Sequence, residues 1–151
     1  MNIRPAKVSD VKEMQALIND FAARKEMLPR SLNDLYENIF EYFVAEDDAG
    51  KVIGCGALHI AWEDLAEVKG LAVASSMQGK GIGAQIVRRA EQKALEVGVR
   101  KVFALTFKPG FFEKLGYKQV GRETLPHKVW GECVKCPMFP DCGEVAVMKT
   151  L

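Results

Sequence analysis

Apolar residues near the start of the chain recur every three or four positions, which is the spacing of one helix face. They are Val11, Met14, Leu17, Ile18 and Phe21. Asp10 precedes them, and Glu13 follows it by three residues, a pairing typical of a helix start. Ser31 is placed to cap a second helix. The apolar residues of that helix, which we expect to face inward, are Leu32, Leu35, Ile39 and Phe40.

Other segments of the chain, most of them in its middle, are short runs bounded by turn residues, and this pattern predicts strands. The strands are predicted over residues 2–5, 42–46, 51–62, 65–73, 102–107, 117–120 and 145–148. Only Glu63 and Asp64 separate two of these runs, so we expect a hairpin there. Helices are predicted over 82–97, ended by Gly98, and over 109–115. Hairpins combined with a helical crossover imply an α/β or α+β domain, with a mixed sheet covered by helices.

Composition and charge narrow the class of protein. The 151 residues correspond to one ordinary domain, so residues 1–151 are treated as a single domain. The 21 Lys and Arg residues against 20 Asp and Glu residues leave a net charge of +1. This balance gives no support to bulk binding of nucleic acid or of an anionic membrane. No apolar run approaches the roughly 20 residues of a membrane span, and no secretory signal is visible, so the cytoplasm is the expected compartment.

The segment most informative about chemistry is a glycine-rich loop between a strand and a helix. Its sequence over residues 78–83 is Gln-Gly-Lys-Gly-Ile-Gly. Glycines let the backbone approach a ligand, and the N–H groups at a helix start attract phosphate. The loop is neither a P-loop nor the dinucleotide-binding fingerprint, because its spacing fits neither pattern. We interpret it as a phosphate-binding loop; a turn that only caps the helix is the alternative.

Two segments carry a resemblance to a known family. Gln78-x-x-Gly81-x-Gly83, after Leu71-Ala72-Val73, resembles the acetyl-CoA loop of the GNAT superfamily of N-acetyltransferases, Gln/Arg-x-x-Gly-x-Gly/Ala. Residues 111–117 resemble the second family signature, Phe-Tyr-Glu-Lys-x-Gly-Phe. The resemblance covers nearly the whole chain. It implies a mostly antiparallel sheet flanked by helices, acetyl-CoA as cosubstrate, and direct transfer of acetyl to an amine.

The same resemblance implies where the cofactor would bind. The backbone of Leu71, Ala72 and Val73 would pair with the pantetheine arm, and one N–H there would polarise the thioester carbonyl. The pyrophosphate would lie on the amides of the loop, whose residues are Gln78, Gly79, Lys80, Gly81, Ile82 and Gly83. Phe112 stands where the family often has a tyrosine acid. We therefore expect Phe112 to pack against the cofactor arm, and the departing thiolate to take its proton from elsewhere.

A narrower resemblance is to short, single-domain N-acetylglutamate synthases of bacterial arginine biosynthesis. It rests on residues 28–31, 54–59, 65–67 and 105–106, and on a tail at 125–137 with Leu-Pro-x-Lys and Cys-x-x-Cys-Pro. It implies L-glutamate as the acceptor. Another small amine or amino acid is the first alternative, and a non-catalytic CoA-binding sensor domain is the second. A homodimer is left open.

Glu67 is the predicted catalytic base. It is the nearest acid on the strand that carries the cofactor contacts, and an acid here is common in the superfamily. A structural carboxylate paired with Lys69 is the alternative reading. His59, on the preceding strand, is a rival base because its ordinary pKa suits neutral pH.

The two carboxylates of glutamate require fixed cations. Arg30 is the first choice because a guanidinium binds a carboxylate in a fork, and because it lies between the first two helices. In this superfamily that region closes over the acceptor. Lys128 is the second choice and Lys135 the third. The alternative for each is a solvated surface charge.

Three of the four cysteines form a cluster near the C-terminus. Cys133, Cys136 and Cys142 have the spacing Cys-x₂-Cys-x₅-Cys. A structural zinc site needs four ligands, so His127 would have to supply the fourth. We predict no metal and favour thiols that pack a loop; zinc and a redox-regulated disulfide are the alternatives.

Overall fold

The computed structural model describes residues 1–24, 29–125 and 144–151. In these parts the strands are β1 (Asn2–Pro5), β2 (Tyr42–Glu46), β3 (Val52–Trp62), β4 (Leu65–Val73), β5 (Lys101–Thr106), β6 (Lys118–Val120) and β7 (Val145–Thr150). The α-helices are α1 (Val11–Ala23), α2 (Leu32–Glu37), α3 (Ile82–Glu96) and α4 (Pro109–Glu113). None of the helices in the described ranges is long and apolar enough to cross a membrane.

The strands form one sheet in the order β1-β2-β3-β4-β5-β7-β6. Every neighbouring pair is antiparallel except β4 and β5, which run parallel. The helix α3 makes the crossover between these two parallel strands. The predicted hairpin joins β3 to β4 through Glu63 and Asp64. The predicted class, a mixed and mostly antiparallel sheet flanked by helices, is confirmed.

Helices cover both faces of the sheet. On β3, Ala57 belongs to one buried cluster and Leu58 to another, and successive strand residues point to opposite faces. The first cluster contains residues of α1 and α2, including Met14, Ile18 and Leu35. The second contains residues of α3, including Val87, Ala90 and Ala94. We call these the α1/α2 face and the α3 face.

Two glycines of β3 allow α3 to lie close to the sheet. A Cβ at Gly56 would lie 2.7 Å from Ile86 Cγ2, and a Cβ at Gly54 would lie 3.1 Å from Ile86 Cδ1. A methyl group at position 56 does not fit unless Ile86 shifts. The absence of side chains at these positions therefore sets the distance between α3 and the sheet, and with it the position of the loop at the start of α3.

The prediction that Phe40 faces inward is wrong. Its side chain is 99% exposed, whereas Leu35 and Ile39 are buried. The helix α2 ends at Glu37, and a 3-10 turn over Ile39–Glu41 follows it. The number of residues per turn is smaller in a 3-10 turn than in an α-helix. The α-helical spacing that predicted an inward Phe40 therefore no longer applies after Glu37.

Candidate functional site

The parallel strands β4 and β5 are hydrogen-bonded over a short stretch only. Their register pairs Ala66 with Val102 and Glu67 with Phe103. Beyond this point β4 continues to Val73, while β5 pairs on its other side with β7 as far as Thr106. The two strands therefore part after Glu67. The edge of β4 that faces the gap can pair with an extended ligand, as an added strand would.

A β-bulge lies in β4 where the strands part. Cys55 pairs with Ala72 and Ala57 pairs with Lys69, so Gly56 alone faces two residues of β4, Gly70 and Leu71. The φ angle of Gly70 is +64°, a value that favours glycine. A bulge of this kind bends the strand and changes the direction of the following backbone groups. Our sequence analysis did not single out this glycine, although a glycine inside a strand pattern is the signal for a bulge.

The glycine-rich loop follows directly at the end of β4. Gln78 Nε2 donates a hydrogen bond to the carbonyl oxygen of Val73 at 3.3 Å, which ties the loop to the strand. Gly79 and Gly81 have φ angles of +81° and +78°. Apart from the adjacent residues in the chain, no heavy atom of the described residues lies within 4 Å of a Cβ placed on either. The predicted loop residues are thus brought beside the predicted strand residues, with open space around their backbone.

The start of α3 has the electrostatics of an anion site. The first helical hydrogen bond runs from the Gln85 N–H to the Gly81 carbonyl at 3.1 Å, so earlier N–H groups have no partner within the helix. The first turn carries no acidic residue, and Lys80 beside it is exposed. The helix dipole adds partial positive charge at the same place. A phosphate group fits this end of the helix.

An aromatic residue of α4 contacts the start of α3. A Cβ at Gly83 would lie 3.2 Å from Phe111 Cζ, so the Phe111 ring packs on the first turn of α3. Phe112 is 5% exposed and lies edge-to-face with Phe111 and Tyr117, with ring centroids 5.1 Å and 5.2 Å apart. Phe111 is therefore the aromatic ring that contacts the last residue of the loop, Gly83. The sequence analysis did not select it.

Glu67 and His59 lie side by side on the α1/α2 face. They are register partners across β3 and β4, and directly opposed side chains share a face. Glu67 is buried, with 6% of its surface exposed. His59 Nδ1 lies 2.6 Å from Glu41 Oε2. This hydrogen bond raises the pKa of His59 because the carboxylate stabilises the imidazolium, while burial and Lys69 oppose the rise.

Arg30 lies between α1 and α2, on the face that carries Glu67. Its backbone is held on α1 by Gln15 Nε2, which donates to the Arg30 carbonyl at 3.2 Å, and by Asn19 Oδ1, which accepts from the Arg30 N–H at 3.4 Å. The guanidinium Nη1 lies 3.6 Å from Asp34 Oδ2. The Nε atom is buried and has no hydrogen-bond partner in the part of the chain that the structure describes.

The remaining candidates fall outside the described ranges. They are Lys128, Lys135, His127 and the cysteines at 133, 136 and 142. Within the described ranges no group of His, Cys, Asp and Glu side chains is placed to hold a metal ion. Cys55 is fully buried, and burial raises the pKa of its thiol to about 12, so it is not a thiolate at neutral pH.

Comparison with known proteins identifies the family. Residues 10–117 match the model of the acetyltransferase (GNAT) family. An uncharacterized N-acetyltransferase of Chlorobaculum tepidum, CT2212, is 40% identical over 99% of this chain and 96% of its own length. An amino-acid acetyltransferase of Mycobacterium tuberculosis is 40% identical over 86% of this chain and 75% of its own length.

Among solved structures, N-acetylglutamate synthase from Neisseria gonorrhoeae, in complex with coenzyme A and N-acetyl-glutamate, superposes with a TM-score of 0.91. The match covers 99% of this chain and 35% of that one, at 26% identity. The parted strands, the bulge and the anion-binding loop are features of this chain that suit a CoA thioester. The chain belongs to the acetyltransferase (GNAT) family and is an acetyl-CoA-dependent N-acetyltransferase.

Proposed function

We propose that this chain transfers the acetyl group of acetyl-CoA to the α-amino group of L-glutamate. The observation that carries the proposal is Arg30, a partly buried cation on the face that carries Glu67, whose Nε has no hydrogen-bond partner among the described residues. A carboxylate acceptor would supply a partner for this Nε. A relative named amino-acid acetyltransferase and a structural neighbour bound to N-acetyl-glutamate support the same acceptor class. We also propose that the enzyme acts in arginine biosynthesis and that it is located in the cytoplasm.

Acetyl-CoA would bind along the gap between β4 and β5. The pantetheine arm would pair with the backbone of Leu71, Ala72 and Val73. The pyrophosphate would bind the backbone amides of residues 78–83, and the Lys80 side chain would add positive charge. The bulge at Gly70 turns the next backbone N–H out of the regular ladder. That N–H, of Leu71, is our candidate for the hydrogen bond to the thioester carbonyl and to the oxyanion that forms from it.

Glu67 would act as the general base. The acceptor amine carries a proton at neutral pH and attacks only after losing it. Glu67 takes that proton, directly or through a water, and the neutral nitrogen then attacks the thioester carbon. In the tetrahedral intermediate the oxygen is negative and the attacking nitrogen is positive. The intermediate collapses by breaking the C–S bond, and the CoA thiolate leaves. The second proton that the nitrogen loses balances the proton that the thiolate gains. His59 is the rival base, and its register partnership with Glu67 places both on the same side of the sheet.

The second carboxylate of glutamate needs a second cation. We keep Lys128 as the proposed group for it, on the sequence resemblance alone. Phe112 stays a proposed packing contact of the cofactor, with Phe111 between it and the loop. No acyl-enzyme is needed, because the amine attacks the thioester directly.

Substitution of Arg30 tests the proposed acceptor. Arg30→Ala is expected to raise the KM for glutamate at least about 10-fold, since a hydrogen bond to a charged group contributes roughly 1.5–3 kcal/mol. The KM for acetyl-CoA should stay unchanged. The assay is release of free thiol while one substrate is varied at a time.

Arg24 is a matched control for Arg30. It also pairs with an aspartate four residues away, with Arg24 Nη2 3.1 Å from Asp20 Oδ2, but its side chain is 44% exposed at the end of α1. Arg24→Ala should leave both KM values unchanged. An equal rise of both KM values in Arg30→Ala, or the same effect from both substitutions, would contradict the proposal.

A further inference from the structure

Tyr42 is a buried polar side chain that the proposed mechanism has not used. It is the first residue of β2 and is 1% exposed. Its hydroxyl oxygen is buried and has no hydrogen-bond partner within the described ranges. A buried polar group without a partner costs free energy, so such groups are rare in folded proteins. The rest of the ring lies in the cluster of the α1/α2 face.

The Tyr42 hydroxyl lies over the bulge in β4. A Cβ placed on Gly70 would be 3.1 Å from the Tyr42 Oη atom and 3.0 Å from its Cε1 atom. The hydroxyl therefore sits next to the backbone that we assign to the thioester carbonyl. It approaches from the α1/α2 face, the side on which Glu67 and His59 lie.

Arg30 belongs to the same face of the sheet. Its backbone is held on α1, and the Tyr42 ring packs in the cluster that α1 and α2 cover. The positive charge of Arg30 opposes the rise in the pKa of Tyr42 that burial causes. Burial is the larger effect and keeps the pKa of Tyr42 well above its ordinary value. The hydroxyl thus stays protonated and can donate a hydrogen bond at any working pH. Arg30 Nε and Tyr42 Oη are thus two buried polar atoms on the α1/α2 face, and neither has a hydrogen-bond partner among the described residues.

We infer that Tyr42 Oη is a second hydrogen-bond donor, besides the proposed Arg30, to the α-carboxylate of an amino-acid acceptor. Both groups donate hydrogen bonds, so an acceptor-only group of negative charge satisfies both. The α-carboxylate is one carbon away from the reacting amine, and the amine must reach the thioester beside Gly70. The inference rests on the proposed function and adds a specificity determinant to it: acceptors that lack an α-carboxylate are discriminated against.

Removal of the hydroxyl separates a binding role from a structural one. Tyr42→Phe should raise the Tm of the free protein, because an unpartnered buried hydroxyl is removed. The same variant should raise the KM for L-glutamate about 10-fold or more, because the α-carboxylate loses a donor. The KM for acetyl-CoA should not change. The values of kcat/KM for 4-aminobutanoate, which is glutamate without its α-carboxylate, should be low in the wild type and equal in Tyr42→Phe.

Tyr117 provides the matched control. It is also buried, but its hydroxyl donates a hydrogen bond to Glu91 Oε2 at 2.8 Å. Tyr117→Phe should therefore lower the Tm and leave the KM for glutamate unchanged. The Tm is thus expected to rise in Tyr42→Phe and to fall in Tyr117→Phe, because, of the two hydroxyls, only that of Tyr117 makes a hydrogen bond among the described residues.

Each outcome of this experiment decides the inference. Tyr42→Phe with an unchanged KM for glutamate, in an enzyme that acetylates glutamate, would overturn the inference and leave the proposed function standing. If the wild-type enzyme does not acetylate glutamate, the proposed function fails, and the acceptor that reacts takes its place in the assay. A reacting acceptor with an α-carboxylate and a raised KM in Tyr42→Phe would uphold the inference. A preferred acceptor without an α-carboxylate would overturn it.

Discussion

Gly70→Ala perturbs the bulge on which the proposed carbonyl contact depends. Two costs follow from the structure. The φ angle of +64° puts an alanine in the left-handed region, which costs about 1–2 kcal/mol. The added Cβ also meets the Tyr42 ring at 3.0 Å and its hydroxyl oxygen at 3.1 Å, and overpacking of a core typically costs about 1–3 kcal/mol. The expected loss of unfolding free energy is therefore about 2–5 kcal/mol.

Gly50 offers a control that separates these two costs. Its φ angle is +82°, and nothing lies within 4 Å of a Cβ placed on it, because it is in the exposed turn between β2 and β3. Gly50→Ala should carry the backbone cost alone, about 1–2 kcal/mol. Urea unfolding of both variants gives the difference. Equal destabilisation of the two variants would refute the packing of Tyr42 against the bulge.

The activity of Gly70→Ala tests the bulge itself. Thiol release should show kcat reduced by about 100-fold under conditions where the variant is folded, since a small displacement of a positioning group has effects of that size. Gly50→Ala should keep the kcat of the wild type. Full activity in a folded Gly70→Ala variant would show that the bulge does not position the reacting carbonyl.

Two further predictions concern charge. Lys80→Ala should raise the KM for acetyl-CoA a few-fold at low salt and less at high salt, because salt screens the charge of an exposed side chain. Steady-state kinetics at two salt concentrations measure this difference. A rise in KM that is independent of salt would contradict a simple electrostatic role. The His59–Glu41 pair raises the pKa of His59 above its ordinary value of 6.5, so its stabilisation is full below that value and is lost as pH rises through the folded pKa. Urea unfolding should thus show Glu41→Gln destabilised more at about pH 6 than at about pH 9, and the reverse order would contradict the ion pair.

Much of the fold could be predicted from local patterns. The strands over 42–46 and 65–73 and the start of α3 at Ile82 agree with the sequence predictions. The start of α3 follows directly on Gly81, a residue that marks a turn in the sequence. Ser31 caps α2 as expected, with its hydroxyl accepting a hydrogen bond from the Asp34 N–H at 3.0 Å. The inward Phe40 was wrong because a change in helix type is a property of the junction, which residue spacing does not show.

The candidate site was predictable only in its contiguous parts. The loop at 78–83 is a single stretch of sequence, so its pattern could be read directly. Tyr42 and Gly70 are 28 positions apart in the sequence, and only the pairing of β2, β3 and β4 brings them together. A polar atom's lack of partners is likewise a property of the packed structure. Arg30 Nε and Tyr42 Oη could therefore not be recognised as a pair from sequence alone.

The proposal that L-glutamate is the acceptor can be tested by comparing acceptors in a single assay. The purified chain is incubated with acetyl-CoA and, one at a time, glutamate, other amino acids, polyamines and an N-terminal peptide, and free thiol and acetylated product are both quantified. We expect thiol release that depends on glutamate and matches N-acetylglutamate mole for mole. Thiol release with another amine, and none above background with glutamate, would contradict it.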